Sequence, residues 1–396
     1  MSHVIPNRHR FALAFVATVL AIASISQVAV PEASPTPVGS WALTGNMPTS
    51  HVYHSATVLP NGKVLVAGGF SSACCTAVNT AALYDPSTQT WANTGLMNTV
   101  RFEHTATLLN TGMVLVVGGG SNDAILASAE LYDPATGEWT ETDSLTQRRR
   151  RHMATLLADG RVLVAGGEFS STVTASAEIY DPATGLWTDT GDMKEVRRWA
   201  TSTLLPNGKV LVTGGSHFSG EHATAELFDP TTGTWDYAAP MSQTRTAHSA
   251  TLLQDGTVLV TNYSTLGLAT ERYHYDTNTW SPTGDLASEI WEFAHAVLLP
   301  SGKVLLVDGV GGSQLYDPAA GSWSSTGSMA TGRGDYTLSL LPNGQALVTG
   351  GTCRNGCSPP PATQAENTAE LYTEASYLTS IAITPDDPTM LYSAAQ

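Results

Sequence analysis

Lysine is nearly absent from this sequence: 396 residues contain four, at Lys63, Lys194, Lys209 and Lys303. Charged residues of all kinds make up 13% of the chain, against ~25% in an ordinary soluble domain. Acidic side chains outnumber basic ones by 34 to 18, for a formal net charge of −16. A chain so short of cations repels phosphates, which argues against nucleic acid and anionic membrane surfaces as partners. Low charge beside an apolar fraction of 42% argues equally against a disordered chain. Helical spacing of apolar residues is missing over any useful length, which removes helical bundles from consideration. No apolar run reaches the ~20 residues of a membrane helix. Cysteine is scarce as well, with Cys74, Cys75, Cys353 and Cys357 the complete set.

The N-terminus carries an export pattern. Arg8 and Arg10 precede an apolar run from Phe11 to Ile25, and small residues around Ala21–Ser26 offer cleavage sites. That order of basic, apolar and small residues is a secretory signal, expected over residues 1–26. A secreted, periplasmic or cell-surface location follows, with membrane attachment only through an uncleaved signal. The proline-rich stretch within residues 27–40 reads as an extended linker.

Beyond the linker the sequence repeats. Trp41, Trp91, Trp139, Trp187, Trp235, Trp280 and Trp323 recur at intervals of 50, 48, 48, 48, 45 and 43 residues. Between them returns a Leu-Tyr-Asp-Pro element, as at Leu83–Pro86 and Leu131–Pro134, and an apolar run that ends in paired glycines, as at Gly68-Gly69 and Gly118-Gly119. Each period supplies four short strands: one beginning His-Ser-Ala-Thr, a β-branched strand after a turn such as Pro60-Asn61-Gly62, the Leu-Tyr-Asp strand, and the tryptophan strand. A lone four-stranded sheet cannot bury both faces, so successive sheets must pack on one another around an axis. Trp41 lies on a fourth strand with no first three before it, while Tyr336–Tyr372 supplies three strands and no tryptophan. The N-terminal strand is therefore expected to complete the last sheet and close the ring, with each tryptophan buried between sheets.

The paired glycines after an apolar strand, the spaced tyrosine and the tryptophan beyond it resemble kelch repeats. That resemblance covers residues 41–372 and implies an all-β fold, a seven-bladed β-propeller with four-stranded blades. The fifth and sixth repeats depart from it, with Thr261-Asn262 and Asp308-Gly309 in place of the glycine pair. A fold of this type hosts enzymes and binding modules alike. After Tyr372 the tail, residues 373–396, resembles the first strand of a bacterial immunoglobulin-like domain; too few residues follow to complete one, so either a cut from a longer surface protein or a strand docked on the propeller is expected, the cut being the preferred reading.

Positions that recur in every repeat are explained by packing, and positions that vary are free for function. Arginine recurs three residues before the first-strand histidine, at Arg101, Arg149, Arg197, Arg245 and Arg333, and reads as a brace between blades. The histidine position holds His54, His104, His152, Ala200, His248, His295 and Tyr336, read as hydrogen-bonded side chains between blades. Immediately before it the residue varies: Tyr53, Glu103, Arg151, Trp199, Ala247, Ala294 and Asp335. Entering the innermost strand, these side chains should surround one mouth of the central channel. Aromatic rings beside charges of both signs suit a sugar or a peptide. The expected site is Tyr53, Glu103, Arg151, Arg198, Trp199, Trp291, Glu292 and Asp335, with the Arg148–Arg151 run adding positive charge. The first reading is thus a binding or adhesion module with no cofactor, for a carbohydrate or protein ligand.

The alternative is an enzyme. Val52-Tyr53-His54-Ser55, followed by Leu59–Val64 and Gly68-Gly69, is similar to a stretch of the copper-radical galactose and glyoxal oxidases. That resemblance implies copper at Tyr53 and His54, with Tyr336 as the second tyrosine. The chain departs from the pattern in having no inner-strand cysteine and no C-terminal domain to supply a further histidine. The four cysteines instead occupy equivalent loops of the first and seventh repeats, where disulfides suit an exported protein.

Overall fold

The computed structural model describes residues 39–71, 76–261, 268–290, 294–355 and 365–375. Cys74, Cys75, Cys357, Trp291, Glu292, the signal and the tail beyond residue 375 lie outside the described residues. Among the described residues no helix is long and apolar enough to cross a membrane.

Seven four-stranded antiparallel sheets form a ring. In blade 2 the strands are Thr105–Leu108, Val114–Val117, Ala129–Asp133 and Glu138–Thr142, in that spatial order. Blades 1, 3, 4, 5 and 6 repeat this order from first strands at Ser55–Val58, Met153–Leu156, Thr201–Leu204, Ser249–Leu252 and His295–Leu298. In blade 7 the strands Thr337–Leu340, Ala346–Thr349 and Ala369–Glu374 are completed by Gly39–Leu43. The ring closes as the repeats require, with Trp41 opposite Tyr372.

Local chemistry explains the strand ends. At Leu59–Lys63 the Leu59 N–H donates to the Lys63 carbonyl (2.8 Å) and Gly62 takes a φ of 80°, a conformation open to glycine. Between the outer strands Gly137 N–H donates to the Asp133 carbonyl (2.8 Å), while the Asp133 carboxylate accepts from Ala135 N–H. The second strands are apolar and fully buried, as at Val114–Val117, because blades cover both their faces.

The tryptophans differ from expectation. Trp139, Trp235 and Trp323 are buried, but Trp41, Trp91, Trp187 and Trp280 are half-buried. They sit on the outermost strand, where one edge meets solvent. Each packs on the tyrosine or phenylalanine across from it, with ring centroids 4.9–5.3 Å apart. Most indole N–H groups donate to a carbonyl of the preceding blade, as Trp91 does to Gly45 and Trp139 to Gly95. The tryptophan thus ties neighbouring blades at the rim, and the core proper lies inward.

Candidate functional site

The recurring arginines are fully buried, and each forms an ion pair with a glutamate on the third strand of its own blade: Arg101–Glu130, Arg149–Glu178, Arg197–Glu226, Arg245–Glu271 and Arg333–Glu370, at 2.7–3.0 Å. The expected brace between blades is thereby corrected, since the side-chain pair lies within a blade. The link to the preceding blade is made by main chain: Gly69 N–H donates to the Arg101 carbonyl (2.6 Å), and Gly119 N–H to that of Arg149 (2.8 Å). The same glutamate accepts from the incoming loop, as Glu130 does from Asn98 and Thr99 N–H. These arginines are unavailable to a ligand.

The next register inward is unusual. Tyr53, Glu103, Arg151, Trp199, Ala247 and Asp335 all have φ between 48° and 57°. The left-handed region costs a side-chain-bearing residue about 1–2 kcal/mol, so six such positions need compensation. A belt of main-chain hydrogen bonds supplies part of it. Glu103 N–H donates to the Tyr53 carbonyl (3.0 Å), Arg151 to Glu103 (3.2 Å), Trp199 to Arg151 (3.2 Å), Ala247 to Trp199 (2.9 Å), and Tyr53 to Asp335 (3.3 Å). The belt sets these residues side by side around the channel mouth.

Five of the eight expected residues, Tyr53, Glu103, Arg151, Trp199 and Asp335, line a single cavity of about 240 Å³. Arg198 stands beside it, and Trp291 and Glu292 lie outside the described residues. The floor includes His54, His104, His152 and Tyr336. Each of these histidines meets a hydroxyl of the preceding blade through Nε2: His104 with Ser55 (2.9 Å), His152 with Thr105 (2.8 Å), His54 with Thr337 and Thr349 (3.1 Å each). Burial pushes His104 down to about 3, and holds His54 and His152 well below the usual imidazole range. The floor is therefore neutral at pH 7.

A buried carboxylate that the repeat pattern does not single out organises the mouth. Glu168 follows the glycine pair of blade 3, where blades 1, 2 and 4 have Phe70, Gly120 and Ser216, and it is 2% exposed. It pairs with Arg150 (2.9 Å), Arg151 (2.8 Å) and Arg198. Glu103 pairs with Arg151 at 2.7 Å. Two guanidinium groups lie over the Trp199 ring, Arg151 at 4.2 Å and Arg198 at 4.5 Å, and Arg198 also covers Phe218. Of the four-arginine run, only Arg148 is exposed; Arg149 is consumed by its brace, and Arg150 and Arg151 by carboxylates. The run is a neutralised network rather than a basic patch.

The same cavity brings Tyr53, His54 and Tyr336 together. Two of them are engaged by neighbouring groups of the protein. Tyr336 is buried and donates its hydroxyl to the Val307 carbonyl (2.7 Å). Burial raises the hydroxyl pKa of both tyrosines. The Nε2 of His54 is taken by two threonines, and no group of three His, Cys, Asp or Glu residues among those described is arranged to hold a metal. Cys353 is buried on the strand Thr352–Asn355, away from the cavity lining.

The kelch motif matches residues 51–94, 105–146, 149–194 and 201–242, the first four blades. No curated protein matches the sequence. Among solved structures the chain is similar to a fungal alcohol oxidase of the AA5 family, described as a novel enzyme with catalytic diversity and solved in complex with copper. The two share 19% identity and a TM-score of 0.70, over 85% of this chain and 76% of that one. At this identity the likeness concerns fold.

Proposed function

The chain is a kelch-repeat β-propeller, and we propose that it works as an exported binding module whose mouth takes one small polar group, from a carbohydrate or from a peptide. A single observation carries this reading. Five of the seven residues by which the repeats differ at one register converge on one cavity, while the recurring arginines, glycines and tryptophans are engaged in packing. The volume falls below the ~300 Å³ typical of drug-sized sites, which suits one sugar ring or one side chain. Trp199 already carries two guanidinium groups, so Tyr53 is the ring better placed to meet a ligand.

Glycan and peptide arrays probed with the mature chain test the reading. A ligand so found should be lost in the double variant Arg151→Ala/Trp199→Ala at unchanged melting temperature; full retention by that variant discards the mouth. The oxidase is the second reading, favoured by Tyr53 and His54 lining one cavity and by the fold shared with a copper-complexed oxidase. Copper loading, dialysis and elemental mass spectrometry decide it. We expect no retained copper; one ion per chain, lost on His54→Ala, would restore the enzyme.

A further inference from the structure

We propose that the mouth cavity selects a singly charged ammonium group, held by Asp335 and Glu103 beside the ring of Tyr53. This rests on the mouth being the binding site and names what binds there. Among the described residues, the charged side chains lining the cavity are two carboxylates, Glu103 and Asp335, and one guanidinium, Arg151. Arg151 is pinned by Glu103 and Glu168 through contacts of 2.7–2.8 Å, so an anionic ligand would have to compete with two built-in carboxylates. Arg150 and Arg198 are not part of the lining and lie over Phe102 and Phe218. The Glu103 side chain is 6% exposed, yet its Oε2 has no hydrogen-bond partner, and its closest cation is Arg150 Nη1 at 3.4 Å. A buried carboxylate oxygen without a donor is costly, and an N–H from a ligand would satisfy it.

Tyr53 reports the sign of the local field. After burial, the charges of Asp335 and then Glu103 raise its hydroxyl pKa, and the opposing effect of Arg151 is the smallest. The neutral histidines of the floor add no charge that would repel a cation. An ammonium group against the Tyr53 face gains cation–π attraction as well. Two sources carry this group in a form small enough to enter, an amino sugar and a lysine side chain.

Titration calorimetry on the mature chain at pH 7 and low salt separates them. The ammonium probes are glucosamine and Nα-acetyl-lysine methylamide. Glucose and Nα-acetyl-norleucine methylamide are their neutral counterparts, and glucuronate is the anionic one. At least one ammonium probe should bind tenfold or more tightly than its neutral counterpart, and the better arm identifies the source. Asp335→Asn, in which asparagine tolerates the left-handed backbone, and separately Glu103→Gln should each erase that preference. Equal affinity for neutral probes, tighter binding of glucuronate, or no binding by any probe overturns the proposal. Neutral binding that is lost in Arg151→Ala/Trp199→Ala would keep the mouth and discard the ammonium. Ammonium binding that survives both Asp335→Asn and the double variant would discard both.

Discussion

At the scale of single residues, the protein is organised by charges taken out of water. Arg149 and Glu178 are buried and separated by 2.8 Å, and the arginine also donates to the Gly166 carbonyl at 2.9 Å. Removing one member leaves the other charged and dry, which costs about 3–5 kcal/mol. Urea unfolding of Glu178→Ala should show that loss, whereas Arg149→Met/Glu178→Leu should lose much less; equal losses would deny the pair its structural role. Glu168 makes the same argument at the mouth. Glu168→Gln should free Arg151 and Arg198 from their places over Trp199 and shift the indole emission, a change that Arg148→Gln on the exposed neighbour should not produce. The arginine half of the brace was legible in the sequence because it recurs. The glutamate half was hidden in what reads as an ordinary strand, although its signal was present: the two repeats that lack the arginine, at His51 and Glu292, also lack the glutamate and carry Ala82 and Gln314.

At the scale of elements, turns and glycine pairs set the register that places the site. Gly118 has a φ of 59°, and a methyl group there would sit 2.5 Å from the Arg149 carbonyl oxygen. Since that atom is backbone, little can yield. Gly118→Ala should cost more than about 2 kcal/mol, while Ala247→Gly, which relieves a φ of 48° on a side-chain-bearing residue, should be neutral or stabilising by up to about 1 kcal/mol. Thermal unfolding of both variants checks the contrast. Strand order and the ring were readable because each strand has its own punctuation, Asn-Gly before the second and Asp-Pro-x-Thr-Gly between the last two. The left-handed belt was not readable, because six different side chains occupy it and no glycine marks the conformation. Burial of the tryptophans was misjudged for a related reason: their spacing reveals a repeat and their strand, but not how much of each ring the outermost strand leaves to solvent.

At the scale of the whole molecule, closure of the ring joins residues far apart in sequence. Trp41 packs on Tyr372 at 5.3 Å and donates to Ser313 Oγ and the Gly327 carbonyl, while Thr44 meets the Tyr84 hydroxyl at 2.7 Å. The last strand thus bridges blades 6, 7 and 1. Deleting residues 31–45 should expose the Ala369–Glu374 edge and Tyr372, and destabilise the fold by at least about 3 kcal/mol. An unchanged unfolding curve would reject the closure.

The ring also concentrates neutral histidines, and this gives the molecule a pH limit. Burial pushes His104 and His248 down to about 3 and His295 to about 4, and holds His54 and His152 below the usual range. In the unfolded chain the same groups titrate near 6.5. Between those limits the unfolded state binds protons that the native state refuses, so stability is complete above about pH 6.5 and falls as the pH drops toward 4. Each histidine contributes up to about 1.4 kcal/mol per pH unit, and the five act in the same direction. Most carboxylates stay ionised down to about pH 4.5, so loss of the net charge of −16 cannot offset this in the upper part of the window. Blade 4 has Ala200 at the equivalent position, which shows that the ring accepts a residue other than histidine there. Denaturant unfolding measured from pH 7.5 to 4.5 should therefore steepen below pH 6.5, and His248→Gln should reduce the slope by about 1.4 kcal/mol per unit. A flat profile across that range would mean that the histidines gain their protons without opening the ring.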